Sequence, residues 1–189
     1  MDKLLESLRE TYNTLIEVDG PKVLYHRSSK LFKEFVPVTK QAFGPDAVAQ
    51  PIFFKETREE SMSMGGVGNY LYTVNAHLVK TFNPADMYDW DKAGGSRDDI
   101  NAFTDLGKLV YKTYLKYNPN KYDDAKFNQL MYIRSGAYDA IENSNFLAWL
   151  QKNKFDSFYV SENGRLYEDK SVGVFVAPGK LEITKVEEI

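Results

Sequence analysis

Cysteine is absent from the 189 residues of this chain, and histidine occurs only twice, at His26 and His77. The lack of cysteine excludes disulfides, a thiol nucleophile, thioredoxin-type chemistry and every cysteine-based zinc site. Two histidines are also too few for a three-histidine metal centre. We therefore expect a protein that works without a metal.

Long hydrophobic runs are missing as well, since no apolar stretch approaches the roughly 20 residues that cross a bilayer. The first residues, MDKLLESLRETYNTLIE, are charged throughout and contain no signal-peptide stretch. The 24 Lys and Arg against 27 Asp and Glu give a net charge of −3, which argues against a dedicated nucleic-acid binder. We expect a soluble globular protein in the cytoplasm, with no membrane partner.

The hydrophobic patterns predict helices and strands mixed within one α+β domain that covers residues 1–189. Helices are expected at 2–17, 57–64, from Ser96 to about 117, 122–134 and 137–153. Strands are expected at 22–27, 52–54, 70–82, 157–160, 172–176 and 181–186. Between the first two strands, 30–50 is predicted as loop with a helical turn around 31–35. The helices of 96–153 then form an insertion between strands.

Two features invite a catalytic interpretation that their context does not support. The glycines at 65, 66 and 68 follow a helix and precede a strand, the reverse of a dinucleotide-binding fingerprint, so a tight loop is the better interpretation. Nothing in the spacing of the two histidines indicates an acid–base pair. His77 is expected to be a surface or half-buried residue, whereas His26 ends a short apolar strand beside Arg27 and two serines.

Several short motifs occur in a recognisable order. They are VLYHRSS at 23–29, KLFKEF at 30–35, PIFF at 51–54, FNP at 82–84, FLAWLQKNKFDS at 146–157 and VGVFVAPGKL at 172–181. Their order resembles the ADP-ribosyltransferase fold, in the branch of phage and mobile-element polyvalent proteins, diphtheria toxin and poly(ADP-ribose) polymerases. The resemblance covers most of 22–186, and 96–140 is unmatched.

The resemblance implies a split β-sheet core with flanking helices that binds NAD as a substrate and transfers ADP-ribose to a protein or other macromolecular acceptor. In the family a strand histidine binds the adenosine ribose and the next residue's backbone holds the carboxamide. His26 matches this histidine, and Arg27 and Ser28 match the two residues after it. Tyr25 and Phe54 are expected to frame the pocket.

The family's remaining signature residues correspond to positions later in the chain. The tyrosine that stacks on nicotinamide corresponds to Met64, and the late-strand glutamate corresponds to Ser171, with Glu168 the best acid nearby. The resemblance thus implies His26 and Glu168 as catalytic residues in an effector or virion-associated enzyme. A second class stays open, because Met64 and Ser171 also suit a catalytically degenerate relative that binds a partner protein.

Overall fold

The structure is a computed structural model that describes residues 21–41, 47–63, 68–94, 100–117, 123–161, 164–166 and 169–189. It contains helices and two β-sheets, which confirms the predicted α+β class. The helix predicted at 2–17 lies outside the described residues. No helix within the described ranges has the length and apolar character needed to cross a membrane.

The smaller sheet has three antiparallel strands in the order β1-β4-β8. They are β1 (Lys22–Ser28), β4 (Tyr70–Ala76) and β8 (Leu181–Glu188). In the register of β1 and β4, Leu24 faces Val74 and His26 faces Tyr72. The predicted strands at 22–27 and 181–186 are therefore confirmed.

The larger sheet has five strands in the order β2-β3-β7-β6-β5, with only the β5–β6 pair parallel. They are β2 (Val38–Gln41), β3 (Ala47–Phe54), β5 (Thr81–Phe82), β6 (Ser157–Val160) and β7 (Ser171–Phe175). β3 changes partner in its middle, since 47–50 pair with β2 and 51–54 pair with β7. Pro51 marks this change of partner, as expected for a residue with no N–H to donate to a ladder.

Helices occupy the chain after β3 and between β5 and β6. They are α1 (Arg58–Ser63), α2 (Asp105–Leu109), α3 (Asp124–Arg134), α4 (Tyr138–Ile141) and α5 (Ser144–Lys152). Pro84–Met87 and Ile100–Ala102 form 3₁₀ turns, and Val110–Tyr114 continues α2 as a π-helical turn. The helices from α2 to α5 correspond to the insertion predicted near 96–153.

The five-stranded sheet separates two hydrophobic cores. An inter-sheet core lies between the two sheets and includes Leu24, Phe54, Tyr72, Val74 and Val172. A helical core lies on the other face of the five-stranded sheet, and it includes Phe82, Leu106, Leu130, Phe146 and Phe158. Successive strand residues point to opposite faces, so Phe54 on β3 belongs to the inter-sheet core while its neighbour Phe53 packs against the helical core.

The predictions for the first half of the chain are correct in part. The helix predicted at 57–64 forms at Arg58–Ser63 and opens with a capping box, in which Thr57 Oγ1 accepts from Glu60 N at 3.2 Å and Glu60 Oε2 accepts from Thr57 N at 3.3 Å. The loop predicted at 30–50 is wrong for β2 and for the first half of β3. No helical turn forms at 31–35. The amide of Phe32 in this segment donates to Tyr72 Oη at 2.8 Å.

The single strand predicted at 70–82 is wrong, since it is divided between the two sheets. A carboxylate stabilises the turn at 77–80, where Asp156 accepts from Val79 N at 2.8 Å and from Lys80 N at 3.2 Å. The helix predicted at 137–153 is likewise two helices. Asn143 divides it, because its side chain caps α5 by accepting from Asn145 N at 2.9 Å.

The predicted helix start at Ser96 lies outside the described residues. Within the described part of this region, the helix begins at Asp105, where Thr104 Oγ1 accepts from Gly107 N at 3.3 Å. Phe103, Leu106 and Val110 in this region are buried, at most 3% exposed.

Candidate functional site

The two sheets meet at one point on the strand that carries His26. Tyr25 N donates to Lys55 O and Lys55 N donates to Tyr25 O, both at 2.9 Å. Lys55 directly follows β3, so this pair of bonds joins the edge of the smaller sheet to the end of a strand of the larger one. We call this point the junction, and the two sheets diverge from it.

The His26 side chain crosses the junction and binds the other sheet. Its Nδ1 lies 2.9 Å from the carbonyl oxygen of Phe53 on β3. A carbonyl can only accept, so Nδ1 carries the hydrogen in this contact. Burial lowers the pKa of His26 despite the opposing effect of the Phe53 carbonyl, and the ring is therefore neutral at pH 7. In that tautomer, Nε2 is a hydrogen-bond acceptor.

Four aromatic rings surround the imidazole. The centroids of Phe54 and Phe35 lie 5.4 and 5.5 Å from that of His26, and those of Phe32 and Tyr72 lie 6.3 Å away. We call these four residues the aromatic cage. Phe54 and Tyr72 are strand residues of the inter-sheet core, whereas Phe32 and Phe35 come from the connection between β1 and β2.

The connection is held over His26 by the hydroxyl of Tyr72. Tyr72 Oη accepts from Phe32 N at 2.8 Å and donates to Lys30 O at 3.0 Å. The rings of Phe32 and Tyr72 are stacked, with centroids 4.2 Å apart and planes 7° from parallel. A ligand that takes the place of the Phe32 or Phe35 ring beside His26 therefore requires this connection to move.

Arg27 points away from the cage and ties α1 to the end of β1. Its guanidinium donates to Met62 O at 3.3 Å and to Gly68 O at 3.0 Å. A Cβ atom at Gly68 would lie 3.0 Å from Ser28 N, so a side chain there would press on β1. The predicted tight loop is thus supported at Gly68, while Gly65 and Gly66 lie outside the described residues.

Lys55, one of the two junction residues, is 5% exposed. Its ammonium group contacts Asp169 Oδ1 at 2.5 Å and donates to Lys170 O at 3.3 Å. These contacts anchor the chain just before β7 to the end of β3. Asp169 is therefore engaged in an ion pair and is not a free acid.

A second carboxylate, Glu56, is surrounded by cationic and hydroxyl groups. Its carboxylate accepts from Tyr159 Oη at 2.7 Å and lies 2.5 Å from Lys170 Nζ and 3.9 Å from Lys22 Nζ. Burial opposes its ionisation, but these hydrogen bonds and the charges of Lys170 and Lys22 outweigh that effect and lower the pKa of Glu56. Glu56 is thus ionised at neutral pH and held in place.

The structure brings only part of the predicted site together. His26 and Phe54 are in contact, whereas alternation along β1 puts Tyr25 and Arg27 on the opposite face from His26. Ser28 ends the strand, where its Oγ accepts from Lys30 N at 3.1 Å.

The later predicted residues do not join this group within the described chain. Ser171 pairs with Val160, whose side chain belongs to the helical core, so Ser171 is on the other face of the sheet from Phe54. Met64 and Glu168 lie outside the described residues. Among the residues that the structure describes, no group of three or more His, Asp or Glu side chains could hold a metal ion.

Sequence reasoning did not identify Tyr72 and Lys55 as parts of this region. Tyr72 is completely buried, as a tyrosine in an apolar strand pattern would be, and its spacing carries no sign of the hydroxyl's role. His77 is exposed, in agreement with its prediction. Comparison of the chain with protein-family models, curated proteins and solved structures found no match.

Proposed function

We propose that this chain binds NAD at the junction of the two sheets and transfers ADP-ribose to a protein or other macromolecular acceptor. The core would then be the split β-sheet of the ADP-ribosyltransferases that the motifs resemble. The observation that supports this proposal best is the neutral His26, bound through Nδ1 across the junction.

His26 offers the chemistry that a sugar hydroxyl requires. Its Nε2 accepts a hydrogen bond, while its Nδ1 contact with Phe53 fixes the orientation of the ring. A protonated imidazole would lose this acceptor and would repel the cationic nicotinamide ring. The lowered pKa of His26 therefore suits a dinucleotide with a positively charged leaving group.

The aromatic cage supplies flat apolar surfaces next to this acceptor. Phe32 and Phe35 belong to the connection between strands, and in the proposed function that connection moves outward so that a base can pack where a phenyl ring lies. Base-to-ring stacking contributes about 1–3 kcal/mol. That gain offsets part of the loss of contacts between the two phenylalanines and His26.

In the proposed reaction, the bond between the ribose C1′ and the nicotinamide nitrogen breaks, and nicotinamide leaves with the electron pair. The acceptor's nucleophilic atom forms the new bond to C1′ and gives up a proton. A carboxylate stabilises the positive charge that develops on the sugar. Glu168, the acid that the resemblance implies, is the residue proposed for this role.

The test is incubation of the purified chain with NAD labelled in its adenosine half, alone and with a cell lysate. We expect labelled protein and released nicotinamide. A His26→Ala variant should lose tenfold or more of the labelling rate, roughly the effect of losing one hydrogen bond to a charged or polar ligand. Glu168→Gln should lose about a hundredfold, the magnitude typical of a group that stabilises transition-state charge.

His77→Ala is the matched control, because His77 is exposed and is the chain's only other histidine. Equal labelling by the His26→Ala and His77→Ala variants would remove His26 from the site. The absence of any labelling, together with no NAD binding in calorimetry, would refute the proposed function as a whole.

A second candidate function is partner binding without catalysis. Two observations favour it. Phe32 and Phe35 contact His26, and Ser171 is on the face of the sheet that meets the helical core. In this case the cage is a permanent part of the inter-sheet core. Replacing Phe35 by Ala would then destabilise the fold without any gain in NAD affinity, whereas in the enzymatic case NAD affinity would rise.

A further inference from the structure

A groove of about 570 Å³ opens in the helical layer, on the other side of the five-stranded sheet from His26. Three elements form it, namely the π-helical turn with the residues after it, the first half of α3, and α5. Its volume falls within the range of about 300–1,000 Å³ that is typical of small-molecule sites. None of the residues of the proposed NAD site lines it.

The groove carries three positive charges and no carboxylate. Lys116, Lys126 and Lys152 each come from a different one of the three elements, and no Asp or Glu is among the lining residues. Within the described ranges, none of these lysines forms an ion pair with a carboxylate. The whole chain has a net charge of −3, so this is a local departure from its acidic balance.

One of these lysines occupies a position that helix energetics disfavours. Lys126 is in the first turn of α3, where the positive end of the helix dipole repels a cation. Lys116 and Lys152 lie at the C-terminal ends of the π-helical turn and of α5, where the dipole favours a cation. A bound anion would compensate for the repulsion among the three ammonium groups and between Lys126 and the dipole of α3.

Neutral donors and an aromatic surface accompany the lysines. Gln129 on α3 and Asn145 on α5 present amide groups to the groove. Burial raises the pKa of Tyr114, so its hydroxyl keeps its proton at neutral pH. Trp149 is 7% exposed, because its ring stacks on those of Phe146 and Phe155. Its indole edge borders the groove, where Nε1 donates to Thr113 Oγ1 at 2.9 Å.

We propose that this groove binds a phosphorylated small molecule of nucleotide size, with its phosphates among Lys116, Lys126 and Lys152 and its organic part against Tyr114 and the indole edge of Trp149. Lysines bind phosphate as point charges, and the amide groups complete the hydrogen bonding. The groove is separate from the proposed NAD site, and the inference does not depend on the proposed function.

The test uses ADP and inorganic pyrophosphate as probes, titrated into the full chain by calorimetry and by ¹H–¹⁵N correlation spectra. The chain has two tryptophans, so the spectra contain two indole signals, and a Trp90→Phe variant assigns the one from Trp149. We expect ADP to shift the Trp149 signal and pyrophosphate to bind more weakly. Both affinities should fall as salt is raised.

Lys126→Glu and Lys152→Glu should each weaken ADP binding roughly tenfold or more, as expected for the loss of a hydrogen bond between charged groups. Lys108→Glu is the matched control, since it makes the same charge change on α2, outside the groove. Melting curves and the milder Lys126→Gln variant separate lost binding from lost folding.

His26→Ala distinguishes this site from the proposed NAD site. ADP binding that survives His26→Ala and is lost in Lys126→Glu supports the groove. The inference is overturned if ADP binding is lost in His26→Ala and unchanged in Lys126→Glu, if neither probe binds, or if an acidic peptide binds the groove while ADP and pyrophosphate do not.

Discussion

The buried, neutral His26 should make the stability of this protein depend on pH in a predictable direction. In the unfolded chain its pKa is about 6.5, and in the folded chain burial lowers it. Between these two values the unfolded state binds more protons than the folded state. The free energy of unfolding therefore falls as pH is lowered through 6.5 and stops falling below the folded pKa.

The size of the effect is bounded by one proton. The maximal slope is about 1.4 kcal/mol per pH unit. If the folded ring stays neutral, lowering the pH from 7.5 to 5.5 removes about 1.4 kcal/mol of stability through this histidine. Carboxylates also contribute, and burial raises the pKa of Asp86, which has the opposite sign. Those contributions are common to all variants and cancel in a comparison.

The assay is urea unfolding at pH 7.5, 6.5 and 5.5 for the wild type, His26→Asn and His77→Asn. An asparagine amide can replace the Nδ1 donor to Phe53 without titrating. His26→Asn should lose the slope, while His77→Asn should keep it. Equal slopes in the wild type and His26→Asn, or a wild type that gains stability as pH falls, would refute the reasoning about the junction.

Three other single substitutions, and one second substitution added to the last of them, test the packing around the site and the helical layer by the same unfolding assay. Tyr72→Phe removes two hydrogen bonds that hold the connection over His26, and should cost about 1–3 kcal/mol; unchanged stability would contradict that role. Gly107→Ala puts a Cβ 2.2 Å from Met87 O and should cost about 1–3 kcal/mol of folding stability. An unaltered midpoint of urea unfolding would contradict this. Lys55→Met should cost about 1–2 kcal/mol of folding stability, a value between those for exposed and for buried ion pairs. Adding Asp169→Asn to Lys55→Met should recover part of that loss, because it removes the unpaired carboxylate.

Much of the fold could be predicted where local signals act alone. The strand at β1, the capping box at Thr57 and the helix α3 depend on alternation, a short-range hydrogen bond and 3.6-residue periodicity. The wrong predictions occur where the local structure depends on a residue far away in the sequence. The break after β4 depends on Asp156, which lies almost eighty positions away in the chain and binds the amides of Val79 and Lys80.

The candidate site could be predicted only at its strand residues. His26 and Phe54 are adjacent because β1 and β3 meet, and the motifs marked both strands. The hydroxyl of Tyr72 binds the backbone forty positions earlier, and no spacing pattern signals such a contact. The resemblance assigned Ser171 to the position of the family's glutamate, but the strand register decides which core a side chain faces, and it aligns Ser171 with Val160.

β3 contacts both of the regions to which we assign ligands. Its last residues accept the hydrogen bond from His26, while the carbonyl of Ala49 near its start accepts from Gln151 Nε2 on α5 at 3.1 Å. β3 pairs with β2 along its first half and with β7 along its second half, so its position is fixed on both sides by backbone hydrogen bonds. A strand held in this way transmits little movement, because packed sheets deform at high cost. Pyrophosphate in the groove should therefore bind with the same affinity whether or not His26 is replaced, and a change of more than about threefold would mean that β3 couples the two regions.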